Sequence, residues 1–463
     1  MRTCRSIALA AAVVCGLAAC GGGGGGGGGG IPLLPIVTAP PPPAPPPPPP
    51  PIAELKLTVE VGGAAATPDG DGKYSVVPGQ QVVVMASDNV AWLGSANGSG
   101  VTRTDVDTSP TRWISRFDNP SKTQAGGYKL VTSGSNDRTK ELNFIVQTGD
   151  YRNGEYMVFA ASGSPRHKLN INFDTATYSL NDATGVITSG ALTPPAGAGD
   201  DWFFQSSRIG PTNTSSLKPL SDTLVGAFPF DTPFASPVTY TAAPFVATRA
   251  FVLSQARLDG AYNRARISIL GSARDSAIAQ IEISGGGTVM KQCVDAIIYR
   301  IADCPTASVV TSRVEADPAE PGMWTLTNPA SGVLLGRFAV AMVDGEKVYL
   351  TAGVAPADGS QTFAIGVPEA QGYDDFTSSG WSTGATLETS TVVSPTYTLA
   401  FSAPVASSSA RTMSSVYGGT TGMRQLSFGA DTFIAMRSRR LDIVIGARSQ
   451  PATRGVLHLG VIN

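Results

Sequence analysis

The sequence predicts an all-β protein behind an export signal and a Gly/Pro-rich spacer. Apolar and polar residues alternate strictly over 55–61 and 169–173, and this period of two is typical of half-buried strands. Turn-forming residues separate the strand-like stretches; Asp344 and Gly345, between two apolar runs, predict a hairpin. No long stretch has the 3.6-residue apolar period of an amphipathic helix.

The first 19 residues have the pattern of a cleaved signal peptide. Arg2 and Arg5 precede an apolar run over 7–14, which is too short to span a bilayer as a mature helix. The following residues, LAAC over 17–20, resemble the lipobox of bacterial lipoproteins.

That resemblance implies cleavage before Cys20, a diacylglyceryl group on its sulfur, and acylation of the new amino terminus, typically with palmitate. Each buried CH₂ contributes about 0.8 kcal/mol, so several acyl chains anchor a protein almost irreversibly. Gly21 stands where an aspartate would, in this family, favour the inner membrane. We therefore expect a lipid anchor in the outer membrane of a Gram-negative bacterium.

Residues 20–52 are expected to be a disordered spacer. Glycine fills 21–30 and proline fills nearly all of 40–51. The glycine run has a reach of roughly 17 Å as flexible coil, and the proline run extends to about 37 Å as a stiffer rod. The spacer would hold the folded part away from the lipid surface.

Residues 53–148 are predicted to form one β-sandwich. Strand signals recur about every ten residues, which is the spacing of such folds. The stretch VPGQQV over 77–82 resembles the turn and strand that open many bacterial immunoglobulin-like repeats. The resemblance implies an immunoglobulin-like module, with Trp92 as its core tryptophan.

The rest of the chain divides into β-units over 149–256 and 257–370 and a C-terminal region, 371–463, which is either a third unit or a set of strands that complete the second. The first two units repeat weakly, because Gly-x-Tyr is followed 72 and 76 residues later by Gly-x-Phe, with a tryptophan before it. These landmarks are Gly154-x-Tyr156, Trp202 and Gly226-x-Phe228, then Gly260-x-Tyr262, Trp324 and Gly336-x-Phe338.

Units that open with Gly-x-aromatic and continue as hairpins resemble small up-and-down barrels such as lipocalins and avidins, although tyrosine replaces their usual tryptophan. The resemblance implies two or three antiparallel β-barrels. Alternation alone cannot distinguish a closed barrel from two packed sheets, so a β-sandwich stays open for each unit.

Composition limits the partners and cofactors. A net charge of −2 with 15% charged residues gives no electrostatic basis for nucleic-acid binding. Cys4 and Cys15 leave with the signal, so Cys293 and Cys304 remain as an even pair, which predicts a disulfide in an oxidising compartment. Two cysteines without a nearby histidine cannot complete a zinc site, and we expect neither a metal nor another cofactor.

The chain has two histidines, and neither is expected to be catalytic. His167 is predicted in a surface turn, and His458 on the polar face of the last strand. Arg437 and Arg439 would share one face of a strand, where they either bind an anion or form a solvated face.

One hydrolase-like pattern is present. GWSTG over 380–384 matches G-x-S-x-G, and Asp442 and His458 follow Ser382 in the chain order of the α/β-hydrolases. The motif needs a helix after the serine, whereas the residues over 385–393 are rich in β-branched types. We therefore expect no catalytic site and no enzymatic activity.

The sequence favours a membrane-anchored lipoprotein that displays β-rich binding domains in the cell envelope. Its partners would be the bilayer, through acylated Cys20, and an envelope protein, a glycan or a small ligand. A structural envelope component is the alternative, and a hydrolase is a more distant one. Small barrels and sandwiches host many unrelated functions, so the fold alone does not choose.

Overall fold

In the computed structural model the described residues form 33 β-strands and three short 3₁₀ segments. The all-β prediction is therefore confirmed. The structure describes residues 54–98, 100–134, 139–162, 166–182, 185–196, 200–208, 215–231, 239–295, 299–369, 373, 375–383, 387–401, 407–416 and 422–463.

The first nine strands form two packed sheets, called here the N-terminal module. One sheet has the order β2-β1-β4-β7-β6 and the other β3-β9-β8-β5, with β3 parallel to β9. The strands are β1 (Leu57–Val61), β2 (Ala64–Ala65), β3 (Lys73–Val76), β4 (Gln81–Ala86), β5 (Val90–Ala96), β6 (Thr102–Ser109), β7 (Arg112–Asp118), β8 (Gly126–Gly134) and β9 (Thr139–Val146).

Trp113 is the core tryptophan of this module. It is 1% exposed and packs with Phe117 and Phe144 between the two sheets. The prediction for Trp92 is wrong, because its ring is only partly buried and its Nε1 donates a hydrogen bond to the carbonyl of Ser109 (2.8 Å). A tryptophan that must satisfy its N–H near the edge of the module cannot lie in the centre of the apolar core.

Each of the three following units is a closed eight-stranded antiparallel barrel, and sequential strands are neighbours throughout. Barrel 1 comprises β10 (Gly154–Ala160), β11 (His167–Asn172), β12 (Thr177–Asn181), β13 (Ile187–Thr193), β14 (Trp202–Phe204), β15 (Ser216–Leu220), β16 (Thr223–Asp231) and β17 (Tyr240–Thr248).

Barrels 2 and 3 repeat this topology. Barrel 2 comprises β18 (Gly260–Leu270), β19 (Ala273–Ser284), β20 (Val289–Cys293), β21 (Val309–Ala316), β22 (Met323–Thr327), β23 (Leu334–Val343), β24 (Glu346–Val354) and β25 (Gln361–Pro368). Barrel 3 comprises β26 (Phe376–Ser382), β27 (Leu387–Val393), β28 (Thr396–Phe401), β29 (Ser407–Ser415), β30 (Met423–Phe428), β31 (Asp431–Arg437), β32 (Leu441–Gly446) and β33 (Leu457–Ile462).

Closure of each barrel comes from pairing between its first and last strands, for example β10 with β17. The paired strands lie far apart along the chain, and full closure removes exposed sheet edges. The barrel prediction is therefore confirmed for all three units, and the sandwich alternative is wrong for them.

The internal repeat is partly structural. Tyr156 and Tyr262 lie on the first strand of their barrels, fully buried, and each donates a hydrogen bond to the carbonyl four residues earlier, at 2.6 and 3.1 Å. The tryptophan landmarks both lie on fifth strands. The Gly-x-Phe landmarks do not correspond, since one lies on the seventh strand of barrel 1 and the other on the sixth strand of barrel 2.

The three barrels pack against one another through a shared apolar core. Strands β16 and β33 are almost entirely buried, because one face fills a barrel and the other contacts a neighbouring barrel. Trp381, on the outer face of barrel 3, is fully buried and donates its indole N–H to Ser216 of barrel 1 (3.1 Å). The Ser276 hydroxyl of barrel 2 accepts from the backbone N–H of Gly455 in barrel 3 (2.8 Å).

A buried ionic group, called here the Asp222 cluster, joins the N-terminal module to barrel 1. Asp222 accepts hydrogen bonds from Arg249 (2.8 Å) and from the phenol of Tyr151 (2.8 Å). Arg116 of strand β7 lies 3.8 Å from the same carboxylate and donates to the carbonyl of Arg249 (2.6 Å). Asp222 and both arginines are less than 10% exposed at their side chains.

The predicted pairing of Cys293 with Cys304 is present in the structure. The two residues are joined by a disulfide with an S–S distance of 2.07 Å, and it closes the connection between β20 and β21. Within the part of the chain that the structure describes, no helix has the length and apolar character needed to cross a membrane.

Candidate ligand-binding site

The interior of barrel 2 is closed by apolar side chains at one end. Alternate residues of each strand face inward, and those near the closed end form a dense cluster. Tyr262, Ile281, Phe338 and Val340 belong to it, and each is at most 1% exposed. Trp324 completes the plug and is 2% exposed.

The other part of the same interior holds a cavity of about 440 Å³. That volume falls within the range of pockets that bind small molecules, which is roughly 300–1,000 Å³. Polar side chains from several strands converge on it, including Arg264, Arg266, Gln292, Ser312 and Thr351.

Arg264 and Arg266 enter the cavity because of the strand period. Residues two apart on a strand share a face, so both follow Tyr262 along the inner side of β18. The intervening Ala265 faces outward into the shared core. Arg264 lies next to the closed end and is 5% exposed, whereas Arg266 lies further along the strand and is half-buried.

Each of the two arginines has at least one donor group without a partner among the described residues. Nε and Nη2 of Arg264 make no hydrogen bond among the described residues, and the same is true of Nε of Arg266. Burial lowers the pKa of Arg264, and its interaction with the neighbouring Tyr349 phenol opposes that shift only in part. A buried guanidinium without partners for its donors is costly, so this arrangement needs an explanation.

The remaining arginines at the cavity are neutralised. Arg166, which reaches it from barrel 1, pairs with Glu320, and Arg337 pairs with Asp317 (2.7 Å). No aspartate or glutamate is among the described side chains that line the cavity. Asp358, which is exposed and not part of the cavity wall, interacts electrostatically with Arg266. The buried positive charge that no carboxylate of the wall compensates is therefore that of Arg264.

Barrel 3 has a different interior, called here the His458 network. Nδ1 of His458 lies 2.7 Å from Oε2 of Glu388, and Nε2 lies 3.7 Å from Oδ2 of Asp442. Asp442 also accepts from the phenol of Tyr397 (2.6 Å) and the hydroxyl of Ser378 (2.7 Å). All five of these side chains are at most 3% exposed.

Electrostatics in this network favour a protonated histidine. Burial acts to lower the pKa of His458, but the hydrogen bond and charge of Glu388, together with Asp442, outweigh it, and the pKa is raised. With His458 protonated, the charges of Glu388 and Asp442 are balanced by His458 and by Arg411, whose guanidinium lies 4.2 Å from the ring of Phe433. The two negative and two positive side chains of the network therefore balance each other inside the barrel.

The G-x-S-x-G pattern has no nucleophile geometry. Ser382 is the last residue of strand β26 and pairs across the ladder with His458, and its motif's final glycine lies outside the described residues. His458 lies on the polar face of the last strand, β33, as predicted, but this face points into the barrel and not to solvent.

Ser390 is the hydroxyl nearest to the imidazole, with Oγ 3.5 Å from Nε2 of His458. Ser390, His458 and Glu388, which lies at the other ring nitrogen, are the residue types of a catalytic triad. The sequence analysis did not identify this combination. However, Ser390 is 0% exposed, and its Oγ lies 2.8 Å from the phenol of Tyr397. A substrate carbonyl cannot approach such a hydroxyl, so the arrangement supports structure rather than acyl transfer.

His167 also differs from its prediction as a surface residue. It is 1% exposed on strand β11 and stacks on Phe230, with ring centroids 5.0 Å apart, inside barrel 1. Burial lowers its pKa, opposed by the charge of Asp231. The aromatic filling of barrel 1 leaves a residual space of only about 10 Å³ beside these rings.

Arg437 and Arg439 do not form a pair on one strand. Strand β31 ends at Arg437, whose guanidinium packs over the rings of Tyr373 and Phe376. Arg439 follows in a turn, where its backbone N–H donates to Glu346 (2.6 Å). Two arginines that are two residues apart and share one face of a strand occur instead at Arg264 and Arg266, on β18.

The predicted lipidation residue, Cys20, and the spacer lie outside the described residues. No family model, curated protein or solved structure matches this chain. A function for it must therefore be argued from its own residues and geometry.

Proposed function

We propose that this chain is a lipid-anchored protein of the bacterial cell envelope that binds a small ligand in the cavity of barrel 2. The observation that carries the proposal is the cavity itself, which is large enough for a small molecule and is lined by buried polar groups. Barrels with one plugged end and one cavity are suited to this role.

The packing of the three barrels supports a preformed site. Barrel 2 shares its outer apolar face with barrels 1 and 3, so its strands are held from outside as well as from within. A rigid pocket loses little conformational freedom when it binds, and such preorganisation increases affinity.

A structural envelope role is the second candidate. The aromatic filling of barrel 1, with about 10 Å³ left beside its rings, and the buried charged side chains inside barrel 3 favour it. Crosslinking in intact cells separates the two roles, because a structural component is expected in a fixed complex with envelope partners.

Ligand binding is tested by native mass spectrometry of the chain purified gently from its own host. We expect a reproducible added mass on the native chain. Gly336→Leu should abolish it, because a Cβ on Gly336 meets no atom within 4 Å and the longer side chain would occupy the cavity. Gly70→Leu, at an equally open position in the N-terminal module, is the matched control and should retain the mass. A native chain without any added mass would contradict the proposal.

Anchoring is tested by replacing Cys20. The variant Cys20→Ala should lose incorporation of radiolabelled palmitate and move from the membrane to the soluble fraction, because the acyl chains supply the membrane affinity. Cys15→Ala changes a cysteine within the predicted signal and should leave both readouts unchanged. Membrane retention of labelled Cys20→Ala would exclude this residue as the anchor.

A further inference from the structure

We infer that the ligand of barrel 2 carries an oxyanion, a carboxylate or a phosphate, which is held by Arg264 and Arg266. The inference rests on the proposed function, because it names the chemistry of a ligand in the same cavity.

Arg264 is only 5% exposed, yet its Nε and Nη2 have no partner among the described residues. These two donors lie on one edge of the guanidinium plane, and this edge matches the two oxygens of a carboxylate or phosphate in a bidentate pair. An oxyanion at that position would satisfy both donors and offset the charge.

Arg266 lies on the same inner face of β18, one strand period nearer the open part of the barrel, and its Nε also lacks a partner. The two side chains place two positive charges in a space lined by no described acidic residue. Glu320 and Asp317 are engaged with Arg166 and Arg337. The exposed Asp358 interacts with Arg266, so the charge of Arg264 is the one that remains for a ligand.

The rest of the lining indicates an apolar body for the ligand. Met290, Leu326 and Leu334 contribute apolar surface to the cavity alongside the arginines. Because Arg264 lies next to the plugged end, the oxyanion is expected to be the innermost group, with the apolar part nearer the opening. Small amphiphilic acids have this combination of groups.

The inference predicts selective binding of short amphiphilic anions. Isothermal titration of the full chain with octanoate, octyl phosphate and octan-1-ol compares ligands with the same apolar part. We expect at least one of the two anions to bind more than about tenfold more tightly than the alcohol, since charged hydrogen bonds contribute about 1.5–3 kcal/mol.

Substitution of the arginine identifies the contact. Arg264→Gln should weaken anion binding by about tenfold to a hundredfold and leave octan-1-ol binding unchanged. The same variant should be as stable as the native chain or more so without ligand, because it removes a buried charge that has no carboxylate partner. Arg313→Gln, on the outer face of barrel 2, is the matched control and should change neither affinity.

The outcomes separate this inference from the proposed function. If octan-1-ol binds as tightly as both anions, or the host-derived adduct proves to lack an acidic group, the oxyanion assignment is wrong while ligand binding stands. If no adduct is found and no probe binds, both fail. Loss of anion binding in Arg264→Gln with a preserved melting temperature supports the assignment.

Discussion

Replacing Asp222 by asparagine is expected to lower the free energy of unfolding by about 3–5 kcal/mol, because it leaves two buried arginines without their shared counter-charge. Both Arg116 and Arg249 have side chains that are at most 7% exposed, and Asp222 is the carboxylate that lies between them. Burial lowers the pKa of Arg116, and the charge of Asp222 counteracts that effect. Asparagine keeps the size of the side chain but removes the charge.

Equilibrium denaturation followed by tryptophan fluorescence measures this effect. Glu155→Gln is the matched control in the same barrel, since Glu155 also faces a cation, Lys168, at 3.2 Å, but both side chains are more than half exposed. Exposed pairs contribute about 0–1 kcal/mol, so this variant should unfold nearly as the native chain does. Equal stability losses in the two variants would show that burial of the Asp222 cluster is not what makes it important.

The Asp222 cluster also links two parts of the fold. Arg116 belongs to strand β7 of the N-terminal module, whereas Asp222 lies between β15 and β16 of barrel 1. Arg249 donates to the carbonyls of Tyr151 and Asn153, which connect the two parts along the chain. Loss of Asp222 is therefore expected to loosen the module from the barrel as well as to destabilise each.

The sequence could predict the class of fold but not which face of each strand lies inside. In β33, Leu457, Leu459 and Val461 alternate with His458 and Gly460, and a half-buried strand normally turns its polar side to water. Here the apolar side is covered by the neighbouring barrels, and the polar side lines the interior of barrel 3. Contacts between barrels, which no local pattern encodes, reverse the expectation.

The same reversal hid the candidate site. Arg264 and Arg266 lie in a strand whose alternate residues, such as Ala265 and Ile267, are apolar. Such a pattern alone predicts that the arginines lie on the face of the strand that is exposed to solvent. Barrel closure turns that side inward. The i, i+2 arginine signal was present in the sequence, but it could be assigned to a cavity only after the pairing of first and last strands was known.

Stability is expected to fall as the pH rises above about 6.5, because the fold binds the proton of His458 more tightly than the unfolded chain does. The pKa of His458 is raised from its ordinary value of 6.5, against the effect of burial, by Glu388 and Asp442. Its contribution is therefore fully present below that ordinary value and is lost as the pH rises through the folded-state pKa. Tyr397 and Arg411 complete the groups around it.

Glu388→Gln tests the origin of this dependence. Removing one partner of a buried ion pair typically costs about 3–5 kcal/mol, and we expect this loss near pH 6, where His458 is protonated. Above the folded-state pKa of His458 the imidazole is neutral and Glu388 has lost its counter-charge, so the loss should shrink as the pH rises. Denaturation over a series of pH values upward from about pH 6 measures this change, and a loss that is independent of pH would contradict the assignment to His458.

The second histidine supplies a control of opposite sign. Burial lowers the pKa of His167, in spite of Asp231, so its neutral form is favoured in the fold and stability is lost as the pH falls below the ordinary value of 6.5. These are the two histidines of the whole chain. In His167→Asn, the free energy of unfolding should therefore fall less as the pH drops below 6.5. Its fall above pH 6.5, which comes from Glu388 and His458, should not change. The two barrels would then titrate independently, as expected for sites that share an outer apolar core but no polar interior.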